Sequence, residues 1–161
     1  MAVDMFLKIA TVDGESRDKA HGKEIDVLAW SWGLSNSGSA HVGGGAGVGK
    51  VNVQDVSVTK YVDSASPKLM KACCDGTHFD EATLTVRKAG GTNPVEYIKV
   101  KMTEVFITAV STGGSGGEDR LTENVSLNFA TVNVDYTPQD AKGAPGTAIP
   151  FGWNIAANVN A

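Results

Sequence analysis

TGGSGGEDRLTENVSLNFATVNVDY, running from Thr112 to Tyr136, holds the features that decide the fold. Gly113, Gly114, Gly116 and Gly117 give the backbone access to positive φ, which a Cβ resists, so a tight bend is expected. A compact set of charge follows in Glu118, Asp119, Arg120 and Glu123. Val125, Leu127 and Phe129 then recur at a spacing of two, the period of a strand with one buried face. Beyond Phe129 the phase slips, because the next apolar positions are Val132 and Val134. A similar slip separates Val51 and Val53 from Val56 and Val58, which predicts a β-bulge or sharp bend at Gln54–Asp55. Slips of this kind suit a curved sheet that closes on itself.

Working outward, Val3, Met5, Leu7 and Ile9 read as a first strand and Glu24 to about Leu34 as a second, with a polar loop from Thr11 to Lys23 between them. Asn36 to Lys50 is a long extended segment rich in glycine and serine. Further strands are expected at Glu81–Lys88 and Glu96–Val110, joined through Gly90, Gly91, Asn93 and Pro94. A loop from Thr137 to Pro150 precedes a terminal strand or arm at Phe151–Val159. One helix is predicted, Pro67 to Cys74, with Ser66 as its cap, Gly76 as its terminator and Leu69, Met70 and Cys73 as its buried stripe. The expected class is all-β: a closed β-barrel or two-sheet sandwich with one short α-helix and a long glycine-rich loop, residues 1–161 forming a single domain.

Composition narrows the function. A chain of 161 residues can bury a core without metal or disulfide staples. Its formal net charge of −4 argues against nucleic acid, which calls for clustered Lys and Arg. Cys73 and Cys74 are adjacent and form no disulfide framework, which fits folding under reducing conditions. The start, MAVDMFLKIATVDGES, lacks the basic and apolar regions of a signal peptide, and no run of residues is apolar enough to insert in a membrane. The expected location is therefore the cytoplasm.

Four motifs invite a chemical reading and none sustains it. Gly44–Lys50, GGAGVGK, follows the phosphate-loop pattern until Val51 stands where Ser or Thr should hold magnesium, and a strand pattern follows where a helix should open. Gly113–Gly117 spells the nucleophile-elbow letters, yet His21, His41 and His78 all precede Ser115, the reverse of the hydrolase order. Cys73, Cys74 and His78 make one ligand group where zinc takes two pairs. The Asn124-Val125-Ser126 sequon has no meaning without a secretory signal. No catalytic, cofactor-binding or metal role is assigned, and no cofactor is expected.

In Ile25 to Trp32, alternation places Leu28, Trp30 and Trp32 on one face, read as the barrel core, and Val27, Ala29 and Ser31 on the other. The second face is small and weakly polar, which suits close approach to a neighbouring subunit or a channel lumen. The charges at Glu118, Asp119, Arg120 and Glu123 read either as surface salt bridges worth about 0–1 kcal/mol each or as a subunit contact.

The stretch from Thr112 to Tyr136 closely resembles the haemolysin-coregulated protein (Hcp) family of bacterial type VI secretion systems. AVDMFLKI at Ala2–Ile9, EIDVLAWSWG at Glu24–Gly33 and FGWNI at Phe151–Ile155 carry the same resemblance, in order along nearly the whole chain. It implies a structural protein and not an enzyme: hexameric rings that stack into a tube, driven out by a contractile sheath, tipped by a VgrG-type spike protein and carrying small effectors. The protein would start in the bacterial cytoplasm and leave the cell without a cleaved signal peptide. On that reading Ala29 and Ser31 face the lumen. His41, Val42 and Val48 on the arm, with Glu118, Asp119, Arg120 and Glu123, make ring or stacking contacts. Two other readings compete: a monomeric barrel binding a small ligand or glycan through its tryptophans, and a hydrolase built on the Ser115 loop. The second of these is disfavoured, since no room remains after Ala161 for an added enzymatic domain.

Overall fold

Alternating apolar residues do build the wall. The computed structural model describes residues 3–38, 41, 49–88 and 93–161. Among them run β1 (Val3–Ile9), β2 (Ile25–Ser31), β3 (Leu34–Ser35), β4 (Asn52–Val53), β5 (Val56–Tyr61), α1 (Ser66–Asp75) and β6 (His78–Lys88). The rest of the chain forms β7 (Glu96–Thr112), β8 (Thr122–Asn128), β9 (Thr131–Tyr136), β10 (Ile149–Asn154) and β11 (Val159–Asn160). The order β7-β6-β1-β2-β5-β8 closes on itself through a β7–β8 pairing, giving a six-stranded antiparallel barrel, and β9, β10 and β11 extend the sheet beyond β7. Its interior is packed by Leu7, Ile25, Leu84, Met102 and Leu127, all fully buried.

Closure depends on β7, which changes partner along its length. Ile98–Thr103 pairs with β9 and Phe106–Thr112 with β8. At the changeover Glu104 takes φ 53°, and Met102 and Val105 both point inward, so the strand slips phase. Opposite this point β8 ends and β9 begins, and the Ala130 N–H donates to the Thr103 carbonyl at 3.0 Å. The expected slip between Phe129 and Val132 is thus a break between two strands that share β7. At Gln54–Asp55 the outcome is likewise a break: β4 pairs with β3 in its own ribbon, and β5 enters the barrel.

Helix α1 packs Leu69 and Ala72 into the core. Gly76, at φ 70°, ends it as expected, its N–H donating to the Ala72 carbonyl. Two expectations are corrected. The N-cap is Ala65, with no side-chain cap, and Ser66 is instead the first helical residue and buried. The buried stripe is Ser66, Leu69 and Ala72, with Cys73 half-buried against the core as expected, whereas Met70 sits about 100° around the helix from Leu69.

The loop between β1 and β2 folds back on the outer wall. It covers Phe6, Thr85 and Arg87, which point outward by register yet are almost completely buried. Gly14 makes this possible: a Cβ there would lie 2.5 Å from the Glu24 carbonyl oxygen and 2.8 Å from the Ile25 Cα. Both are backbone atoms that cannot swing aside, so Gly14→Ala is expected to cost about 1–3 kcal/mol in urea denaturation at fixed protein concentration.

Candidate functional site

Strand β2 carries two of the predicted site residues, and a bulge sets which way they face. Ile25 and Val27 point into the core, Leu28 is exposed, and the register with β5 shifts between Val27 and Ala29. From there Trp30 and Trp32 pack, half-buried, against the core, while Ala29 and Ser31 are exposed. The expectation that Leu28 is interior and Val27 exterior is therefore reversed. The exposure of Ala29 and Ser31 stands, because the bulge restores the expected phase beyond it.

Ladder register extends this small face over three more strands. Ala29 pairs with Thr59 and Ser31 with Ser57; Ser57 and Thr59 pair in turn with Ser126 and Asn124 of β8. Those two pair with Ala109 and Ser111 of β7. None of these side chains is charged, none is buried, and Thr59 ties strand to strand by donating to the Asn124 Oδ1 at 2.7 Å. The result is a smooth wall of methyl, hydroxyl and amide groups across β2, β5, β8 and β7. In the sequence only Ala29 and Ser31 stand out as such a face. The alternation in VSVTKY, TENVSLN and ITAVST carried the same signal, but only pairing joins the pieces into one surface.

Glu118, Asp119 and Arg120 sit exposed on the β7–β8 turn. They form no ion pair within 4.0 Å among the described residues, so the expected salt-bridge set is absent there. Arg120 instead lays its guanidinium over the Tyr61 ring, 3.7 Å from the centroid. Glu123 departs from the group altogether. It is 1% exposed and meets the Lys60 ammonium and the Ser66 hydroxyl beneath α1, with Asp63 2.9 Å from the same ammonium. Its expected role as a contact with another subunit is corrected, since its side chain is enclosed by its own fold. Nothing local in the sequence signals this buried charge set, because Lys60 looks like any solvated strand lysine.

The arm starts on the β3–β4 ribbon, where the Asn36 side-chain amide donates to the Gly49 carbonyl at 2.7 Å. His41 is exposed; Val42 and Val48 lie outside the described residues. Lys50 precedes strand β4 and no helix, contrary to what a phosphate loop requires. Next to the ribbon, Leu34, Val51, Phe151 and Trp153 line an apolar groove of about 220 Å³. No helix among the described residues is long and apolar enough to cross a membrane.

Comparison with known proteins places this geometry. The family described as "Type VI secretion system effector, Hcp" matches residues 6–136. Protein hcp1 of Pseudomonas aeruginosa is 64% identical over 162 residues, covering 100% of both chains. A solved type six secretion system protein superposes with a TM-score of 0.93 at 34% identity, covering 99% of this chain and 100% of its own. Hcp1 of Salmonella typhimurium superposes with a TM-score of 0.79 at 38% identity, covering 100% of both chains. With the family matching most of the chain and a full-length relative at such identity, the chain belongs to the Hcp family of type VI secretion proteins.

Proposed function

We propose that this chain is a subunit of the type VI inner tube. It forms hexameric rings that stack, are expelled by a contractile sheath behind a VgrG-type spike, and carry small effectors in the lumen. The observation that carries this reading is the uncharged wall of Ala29, Ser31, Ser57, Thr59, Asn124 and Ser126. A wall of short side chains leaves a channel wide, and its uncharged centre, bordered by an Asp55 carboxylate already tied to Thr108 and Asn128, lets varied cargo pass or rest without strong binding. The turn at Glu118, Asp119 and Arg120 and the arm bearing His41, Val42 and Val48 are assigned to contacts between subunits and rings. A closed rotation of identical contacts gives a ring, and repetition along the axis gives a filament. The protein starts in the bacterial cytoplasm and leaves as part of the tube, and the reading assigns it no catalytic chemistry.

The ligand-barrel alternative is weakened by the tryptophans. Trp32 donates its only N–H to the Gln54 carbonyl at 2.9 Å, and both Trp30 and Trp32 lean on the core. A stacking platform needs open ring faces. Light scattering after size exclusion is expected to give a mass about six times that of one chain, with annular particles in negative-stain micrographs. A monomer at micromolar concentration would remove the tube reading and favour the ligand barrel.

A further inference from the structure

We propose that residues 13–24 form a pH-operated latch on the outer wall, closed by the imidazole of His21 held between Glu24 of the loop and Glu96 at the start of β7. His21 Nδ1 lies 2.8 Å from the Glu24 carboxylate and Nε2 lies 2.7 Å from the Glu96 carboxylate. Its ring stacks on Phe6 at 4.4 Å with planes 11° apart, and the residue is 8% exposed. An ionised carboxylate only accepts hydrogen bonds, and an imidazole with a single N–H has one donor to offer. Two bonds to two carboxylates therefore require both ring protons. With one proton gone, a nitrogen lone pair faces a carboxylate oxygen at hydrogen-bond range, and that half of the latch is repelled.

The surrounding charges leave the ring as the group that responds. From β6, Arg87 holds the same loop by donating to Asp18 at 3.1 and 2.6 Å, and it donates to Asp4 of β1 at 3.0 Å. That bond from Arg87 brings the Asp18 carboxyl down to about 2, with the backbone N–H groups of Ala20 and His21 assisting against burial. Burial alone would raise Glu96, but the bond from His21 and the nearby Lys99 ammonium, 3.4 Å away, leave it lowered. Asp18 and Glu96 thus stay ionised well below neutrality. Lys8, Asp80 and Glu81 line the open groove of about 450 Å³ beside the ring and give it a path to water. Histidine is the side-chain type whose charge changes between about pH 5 and 8. The sign follows: the latch is closed when the ring carries both protons and loosens as pH rises. The Asp18 anchor behaves oppositely, being present above its ordinary 3.8 and lost only as pH falls toward about 2. Opening the His21 half uncovers Phe6 and Thr85 on the β1–β6 wall while Asp18 stays tethered.

Lys19 and Lys23 flank His21 and are exposed, so trypsin reads the opening directly. Cleavage after these two lysines is measured on the full-length assembled protein from pH 6 to 9, divided at each pH by trypsin's rate on a small amide substrate. The wild-type rate is expected to rise roughly tenfold across the range, the effect of losing one charge-assisted bond. Glu96→Gln is expected to cleave slowly and flatly, because an amide N–H can donate to the unprotonated Nε2. His21→Asn is expected to cleave fast at every pH. A wild-type rate that is flat, including no cleavage at all, overturns the proposal, as does a Glu96→Gln rate that climbs with the wild type. Should His21→Asn fail to fold, the other two arms decide the matter.

Discussion

Lys60→Met is expected to lower the stability of the barrel by about 3–5 kcal/mol, the cost of breaking a buried ion pair by removing one partner. Lys60 is 0% exposed, and its ammonium meets Glu123, Asp63 at 2.9 Å, the Ser66 hydroxyl at 3.1 Å and the Tyr61 carbonyl at 2.9 Å. One Glu123 oxygen already lacks a partner, so the carboxylate has no other donor to turn to except Ser66. Without the ammonium, Glu123 and Asp63 face each other with little water between them, and helix α1 loses its tie to β5 and β8. The double change Lys60→Met with Glu123→Leu is expected to recover part of the loss, because the apolar pair asks for no solvation while Asp63 still lacks the ammonium. Urea denaturation of the two singles and the double at one fixed protein concentration checks this. A single-variant loss below about 1 kcal/mol, or a double as unstable as the worse single, would show that the network contributes little.

Ser31→Arg carries the other large expectation, and it bears on the lumen. Ser31 is exposed beyond the Val27–Ala29 bulge, opposite the core-facing Trp30 and Trp32. A long cation there touches no interior packing, so melting should stay within about 0.5 kcal/mol of wild type. In a ring the substitution is repeated once per subunit. A neutral wall then becomes a narrow basic one, and retention of a cargo effector in a pull-down is expected to fall at least about tenfold, or 1.4 kcal/mol. Rings of normal mass should persist. An insoluble or monomeric variant would instead put Ser31 at the contact between subunits.

How much of this was legible in the chain depends on how local each feature is. The strands were, because alternation at a spacing of two needs no knowledge of what covers the buried face. So were the helix and its end: Pro67 suits the first turn and Gly76 adopts the left-handed conformation without a Cβ to strain. The slips at Gln54–Asp55 and after Phe129 were visible as changes of phase. That the first sends β4 into a separate ribbon, and the second divides two strands along one partner, was not. Each depends on a strand far away in sequence.

Local pattern was enough for the all-β class, the position of the helix, the small exposed face at Ala29 and Ser31 and the family. All of these rest on short-range pattern or on residues read in order. Tertiary structure alone decided three things. It turned Val27 inward and Leu28 outward, because a bulge is a property of two strands in register and not of one. It buried Glu123 against Lys60, a partner 63 positions earlier, where the sequence placed it in an exposed cluster with its neighbours. It also covered Phe6 with a loop pinned by His21 and Arg87, making an outward-pointing position part of the interior. Periodicity states that one face of a strand is buried, whereas what buries it, and whether a charge can follow, depends on which distant groups the closed barrel brings within hydrogen-bond reach.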